Sequence, residues 1–342
     1  MSPSSQSALS SHSNLECFLD CTTPFVPSQI LPKTCIRDLN SLWHPIDDQR
    51  ETVEYFNLGD LWDRYDEWSA YGAGAPIVLS SGETVVQYYV PYLSAIQIYT
   101  SKSFANLRPL REDSDQGEFE GRDSSSDSWS DDSESDKALS RWPSYSSPGR
   151  GGAWDATSED SSFDQEGGGL WPMRDRLGYL YFQYFERSAP YGRIPLMDKI
   201  NELSTGFPGL MSLKSIDLSP ASWMAVAWYP IYHIPTGRTV KDLSACFLTY
   251  HTLSSSFQEN GCEDGEEKVR GRKGNIALPP FGLATYKMMG SNNLWMNGSG
   301  ESSSRDQDRI ISLMSAADSW LKQLRVQHHD FNYFVSHSNF IM

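Results

Sequence analysis

The middle of this chain lacks the side chains that make a hydrophobic core. Residues 111–170 hold 15 Ser but no Val and no Ile, and their only Leu residues are Leu139 and Leu170. Fixing a residue in a fold costs roughly 1–2 kcal/mol of backbone entropy, and apolar burial has to offset it. The segment 108–170 is therefore expected to be a disordered insert, and it splits whatever folds into two parts. The same window carries 16 acidic and 5 basic residues, so it contributes −11 of the chain's net charge of −16. The flanks have an ordinary balance. A chain this acidic repels the phosphate backbone of nucleic acids, whose binding needs Lys and Arg to displace counterions. Anionic membrane surfaces are disfavoured for the same reason.

The flanks carry regular patterns. After an expected disordered tail over 1–12, Ser13 and Glu16 have capping-box spacing, and Leu15, Phe18 and Leu19 give the following helix an apolar face. Pro24, Pro27 and Pro32 then force an extended path. A helix is predicted over 60–71, capped by Asp60, striped by Leu61, Trp62, Tyr65 and Trp68, and stopped by Gly72 and Gly74. Residues 85–99 read as two extended segments, with Pro91 marking a bulge, edge or bend. Beyond the insert, 177–185 is apolar on both faces, as in a central strand. A short helix over 195–203 stops at Gly206, and strands over 223–234 and 243–252 are joined by a turn at 235–237. A polar loop covers 254–275, and 284–288 is a further strand. The last helix is predicted to start at a Ser304/Gln307 capping box and to bury Ile310, Leu313, Met314, Ala317, Leu321 and Leu324. Strands adjoin strands, which points to an α+β fold with a mostly antiparallel sheet and a few packed helices. Residues 13–107, 171–253 and 276–342 are read as one domain, because a surface insertion adds little closure entropy.

Five blocks in these flanks carry a family resemblance. They are LECFLDCTTPFVPSQ (15–29), EWSAYGAG (67–74), VVQYYVPYLSAIQIY (85–99), LGYLYFQYFERSAPYGR (177–193) and SWMAVAWYPIYHIP (222–235). Together they resemble the plant family known as domain of unknown function 789. The resemblance implies a plant protein and a shared fold. It implies no activity, since the family brings no catalytic residues to carry over. The acidic insert lies outside the resembling blocks.

Chemistry-bearing motifs are scarce. There is no phosphate-binding loop, no nucleophile elbow and no zinc-protease helix. The Gly-rich stretches at 149–152 and 167–169 fall in the insert and read as spacer. The five cysteines, Cys17, Cys21, Cys35, Cys246 and Cys262, are odd in number and form no Cys-x-x-Cys pair, so neither a disulfide framework nor a zinc site is expected. The first residues have neither the basic nor the apolar region of a secretory signal, and the longest apolar run, 223–234, is too short to span a bilayer. The expectation is an intracellular protein of the cytoplasm or nucleus, not a secreted one. His328, His329, Asp330 and His337 are residue types that ligate metals, but adjacent histidines diverge, so this region reads as a polar tail after the last helix. His233, Asp242 and His251 are weak catalytic candidates around one expected hairpin; Cys246 faces away from His251, five residues on, so no Cys/His dyad forms there. Trp223, Trp228, Tyr229 and Tyr232, with Tyr88, Tyr89 and Tyr92, fit either a packed core or a cleft for a flat ligand. Lys268, Arg270, Arg272 and Lys273 follow an acidic run and read as a solvated loop or a weak nuclear import signal.

The insert carries the sharpest functional expectation. Phe119, Trp129, Trp142, Trp154 and Phe163 recur among its carboxylates, a composition suited to transient docking on a protein partner. Ser124, Ser128, Ser133 and Ser161 each have an acidic residue three positions on, as acidophilic kinases prefer. The leading expectation is a non-enzymatic interaction module with a phosphorylatable acidic arm, an unidentified protein partner, and no cofactor or metal. The alternative is an enzyme or small-ligand protein that uses an aromatic-lined cleft.

Overall fold

A 17-residue strand organises the fold. In the computed structural model, which describes residues 13–36, 43–44, 51–79, 81–101, 177–231, 245–257, 274–286, 295 and 301–337, the elements run as follows. The first part holds α1 (Asn14–Thr22), β1 (Phe25–Pro27), β2 (Gln29–Pro32), β3 (Thr52–Tyr55), α2 (Leu58–Tyr71), β4 (Ala73–Val78) and the long β5 (Thr84–Thr100). The second holds β6 (Tyr179–Phe185), α3 (Leu196–Ser204), α4 (Gly209–Ser212), β7 (Trp223–Pro230), β8 (Cys246–Thr252), β9 (Asn275–Ala277), β10 (Gly282–Tyr286), α5 (Glu301–Leu324) and α6 (His329–Ser336). The tail 1–12, the acidic insert with all its candidate aromatics and serines, Tyr232, His233, Asp242 and the 268–273 basic cluster lie outside the described residues.

The main sheet has six antiparallel strands, in the order β10-β8-β7-β5-β4, with β6 also on β5. Tyr89 pairs with both Ala73 and Pro230, and Ala95 with both Phe185 and Ala225. Thus β4 and β6 lie end to end along one edge of β5, and β7 lies along the other. The small pairs β1–β9 and β2–β3 are also antiparallel. The fold is α+β, with a mostly antiparallel sheet.

The two sheet faces differ in side-chain size. One carries Met224, Val226, Trp228, Phe247, Leu283 and Ile96, and packs against α1, α2, α3 and α4 through Phe18, Trp62, Ile200 and Leu210. The other carries Ala95, Ala225, Ala227 and Ala284 beside Trp223 and Tyr250, under α5 and α6. Small side chains there let the helices approach closely: a Cβ on Gly282 would stand 2.8 Å from that of Ala317. Helix α5 joins both layers, since Ile310 belongs to the first core and Ala317 and Leu321 to the second. Residues on either side of 102–176 share the first core and form one compact unit.

Several sequence expectations need adjustment. Helix α1 begins at the Ser13/Glu16 capping box as read. Helix α2 instead begins two residues before its expected cap, with Asn57 at the N-cap and Asp60 in the first turn, where it accepts the Asn57 amide at 2.9 Å. Residues 85–99 form one strand, not two. Pro91 is tolerated because Tyr88 accepts a bond from Ile231 on the β7 side, so the odd-numbered Pro91 turns its missing N–H toward the gap between β4 and β6. Strand β6 is not central: among the described residues it pairs with β5 alone, and Tyr179 and Leu180 are exposed. Helix α5 begins at Glu301, which puts Ser304 inside it and not at its cap. The expected polar tail is in fact α6, which buries Phe331 and Phe334. Among the described residues, no helix is long and apolar enough to cross a membrane.

Candidate functional site

A β-bulge brings a buried polar cluster together. The β5–β7 register slips between Leu93 and Ala95, leaving Ser94 without a partner opposite. Before the slip, Tyr89 and Leu93 face the first core; after it, Ile96 and Ile98 do. The extra residue switches the phase of the strand and turns Ser94 toward α6. Bulges re-aim side chains in this way. Ser94 Oγ lies 2.5 Å from Asp330 Oδ2 and 2.9 Å from His328 Nε2, and the Tyr250 hydroxyl lies 2.7 Å from His328 Nδ1. Arg193 grips Asp330 with two bonds, at 2.6 and 2.8 Å, and donates a third from Nε to the Ser188 carbonyl at 2.9 Å. Four elements and one loop converge here: β5, β8, the N-terminus of α6, the β7 residue Tyr229 beneath the guanidinium, and the turn after β6.

The proton positions follow from this geometry. Burial alone would raise the Asp330 carboxyl, but Arg193's hydrogen bonds and charge, with the Ser94 hydroxyl, bring it below its ordinary value. An ionised carboxylate only accepts, so Ser94 must donate to Asp330. His328 Nε2 then carries the hydrogen and donates to Ser94 Oγ, and Nδ1 accepts from Tyr250. Burial holds His328 neutral, with a pKa lowered to about 4, although Asp330 pulls the other way. Burial first, then Asp330, pushes the Tyr250 phenol well up, so it keeps its proton. The result is a one-directional chain of donors from Tyr250 to Asp330.

That order of donors decides what the cluster can do. A serine nucleophile needs its base unprotonated on the side facing the hydroxyl. Here the imidazole faces Ser94 with its N–H, and the serine proton belongs to a carboxylate already neutralised by Arg193. Ser94, Tyr250, His328 and Asp330 are all buried, at 0%, 0%, 2% and 3% exposure. Each of these four side chains is hydrogen-bonded within the cluster. The cluster fixes α6 on the sheet and Arg193 in the 186–193 loop. Glu186 fixes the other end of that loop, accepting from Arg187 N and Ser188 N at 2.8 Å each and from the Tyr184 hydroxyl at 2.6 Å.

The sequence-derived candidates are dispersed. His251 is buried on β8; its Nδ1 donates to the Leu278 carbonyl and its Nε2 accepts from Thr249, each at 2.9 Å. Burial lowers its pKa to about 4. Trp228 and Tyr89 lie in the first core and Trp223 in the second, on opposite faces of the sheet. Tyr229 packs on Tyr92, and Tyr88 is partly exposed. Of the residues weighed for metal, His328 and Asp330 meet in the cluster, whereas His329 and His337 are exposed. Among the described residues, no three His, Cys, Asp or Glu side chains are placed to hold a metal ion. Ser94, Arg193 and Tyr250 were missed. The signal for Ser94 was the phase change between Leu93 and Ile96; for α6 it was the Phe331, Phe334, Val335 spacing.

A family model described as Protein of unknown function (DUF789) matches residues 13–334. No curated protein and no solved structure matches the chain.

Proposed function

The chain belongs to the DUF789 family, and from that premise we propose that it is a non-catalytic interaction module whose fold displays the segment 102–176 as a partner-binding arm, in the cytoplasm or nucleus. The observation that carries this reading is the pairing of β5 with β6. Thr100 lies opposite Tyr179, so the chain leaves the sheet and returns to it at one point after the 78 residues 101–178. Both ends of the arm are thereby held on neighbouring strands. The return is tightly fitted: Gly178 sits at φ 79°, and a Cβ there would stand 2.6 Å from the Thr100 carbonyl oxygen. The self-satisfied Ser94 cluster supports the same reading, since its Ser, His and Asp have no proton placed for catalysis.

The arm's acidity and its spaced aromatics suit a partner with an apolar groove and a basic rim. Phosphate on Ser124, Ser128, Ser133 and Ser161 would add about −1.5 to −2 charges each and strengthen that attraction. Proximity labelling in cells tests the proposal with three chains. These are the full chain, one with 102–176 replaced by a short turn, and one with Phe119, Trp129, Trp142, Trp154 and Phe163 changed to Ala. Neighbours seen with the full chain should vanish from both altered chains while each keeps a cooperative melt. An unchanged set of neighbours without the arm would overturn the proposal.

A further inference from the structure

The sheet face beneath α6 is shaped as a groove for a helix. Its floor is small, with Ala225, Ala227 and Ala284 almost fully buried, and its walls are Trp223, Tyr229, Tyr250 and Tyr286. Helix α6 lies in it through three anchors. Phe331 meets the Tyr250 ring edge-on at 6.1 Å, and Phe334 meets Tyr229 at 6.4 Å and Tyr286 at 5.9 Å. Asp330, in the first turn, takes the bidentate grip of Arg193. These contacts come from β7, β8, β10 and the Arg193 loop, so elements other than α6 build the walls it lies between.

Helix α6 itself is an eight-residue segment. Helices that short do not hold together alone in water, so the groove imposes the helix, and any sequence with the same anchors meets the same mould. Its tether is short. Arg325, at φ 55°, ends α5 in the left-handed conformation, and Val326 N–H bonds back to the Leu321 carbonyl at 2.9 Å. A buried ion pair adds little net stability, but an unmatched Arg193 is costly, so the pair selects what enters.

We infer that this groove is a second partner site, specific for a short helix with an acidic residue followed by aromatic residues one and four positions later, and that α6 is its intramolecular occupant. A partner helix binds by displacing α6. Its apparent affinity is reduced by the fraction of time α6 holds the groove. The site belongs to the described fold and is independent of the arm.

The probe is a fluorescent peptide with the sequence of residues 326–337, VQHHDFNYFVSH. It should bind saturably to the full chain carrying Phe331→Ala and Phe334→Ala, and about tenfold or more weakly to the unaltered chain, whose own α6 competes. Asp330→Asn in the peptide, or Arg193→Met in the chain, should weaken binding about tenfold. A double variant that melts cooperatively yet takes up no peptide would overturn the inference. So would binding indifferent to Asp330 and Arg193. If the double variant does not fold, a protease site placed at 325–327 of the full chain gives a second reading. After cutting, α6 should exchange for labelled peptide; unfolding on cutting, or no exchange, refutes the site.

Discussion

His251 and His328 are both neutral in the fold for the same reason. Each is buried, and each has one ring nitrogen donating and the other accepting. Their folded pKa values are lowered to about 4 from an ordinary 6.5. Above pH 6.5 neither state is protonated, and their contribution to stability is complete. As pH falls from 6.5 toward 4, the unfolded chain binds two protons that the folded chain refuses, so stability is lost across that window. The loss is roughly 3 kcal/mol per histidine at its limit, and it flattens below about pH 4. Asp330, lowered by Arg193 against its burial, extends the loss to still lower pH. Urea midpoints between pH 7.5 and 4 should therefore fall steeply below 6.5, and more gently in a chain with His251→Gln and His328→Gln. A flat profile for the unaltered chain would mean that water reaches both rings.

At the scale of elements, what was legible in the sequence was local. The Ser13/Glu16 capping box, the α2 and α5 stripes and the strand-next-to-strand order depend on neighbours within a few residues, and the structure follows them. The central position read for β6 came from its apolar faces, but strand order depends on distant partners that composition does not name. Helix α6 was hidden because its helicity comes from the sheet it lies on and not from its own length. The Ser94 cluster was hidden for the same reason. Its members come from positions 94, 193, 250, 328 and 330, and only the bulge in β5 turns the first of them toward the rest. Ser94→Ala tests that role. It leaves the buried His328 N–H without its acceptor and removes one bond to Asp330, which should cost about 2 kcal/mol in urea unfolding. A loss below about 0.5 kcal/mol would mean that the network closes without the serine.

At the scale of the whole molecule, one core draws on both sides of the interruption. Phe18, Tyr65 and Ile98 precede it; Met224, Phe247 and Ile310 follow it. Folding must therefore bring together strands separated by the 78 residues 101–178. Closing that loop carries an entropy cost that grows by about 0.6 kcal/mol per doubling of its length. Replacing 102–176 with two residues leaves a five-residue connection, a shortening of about four doublings, and should raise stability by about 2 kcal/mol. For a fold of this size that corresponds to a melting temperature higher by about 4–8 °C. The sign of the change is the decisive quantity. A display arm contributes no packing to the fold, so its removal acts only through closure entropy and the melt rises. A segment that buried its aromatics against the sheet would instead stabilise what it covers, and its removal would lower the melt. A scanning-calorimetry comparison of the two chains, with the enthalpy per retained residue unchanged, would establish that the scaffold folds on its own terms; a lower transition with less enthalpy would show that scaffold and arm are one body.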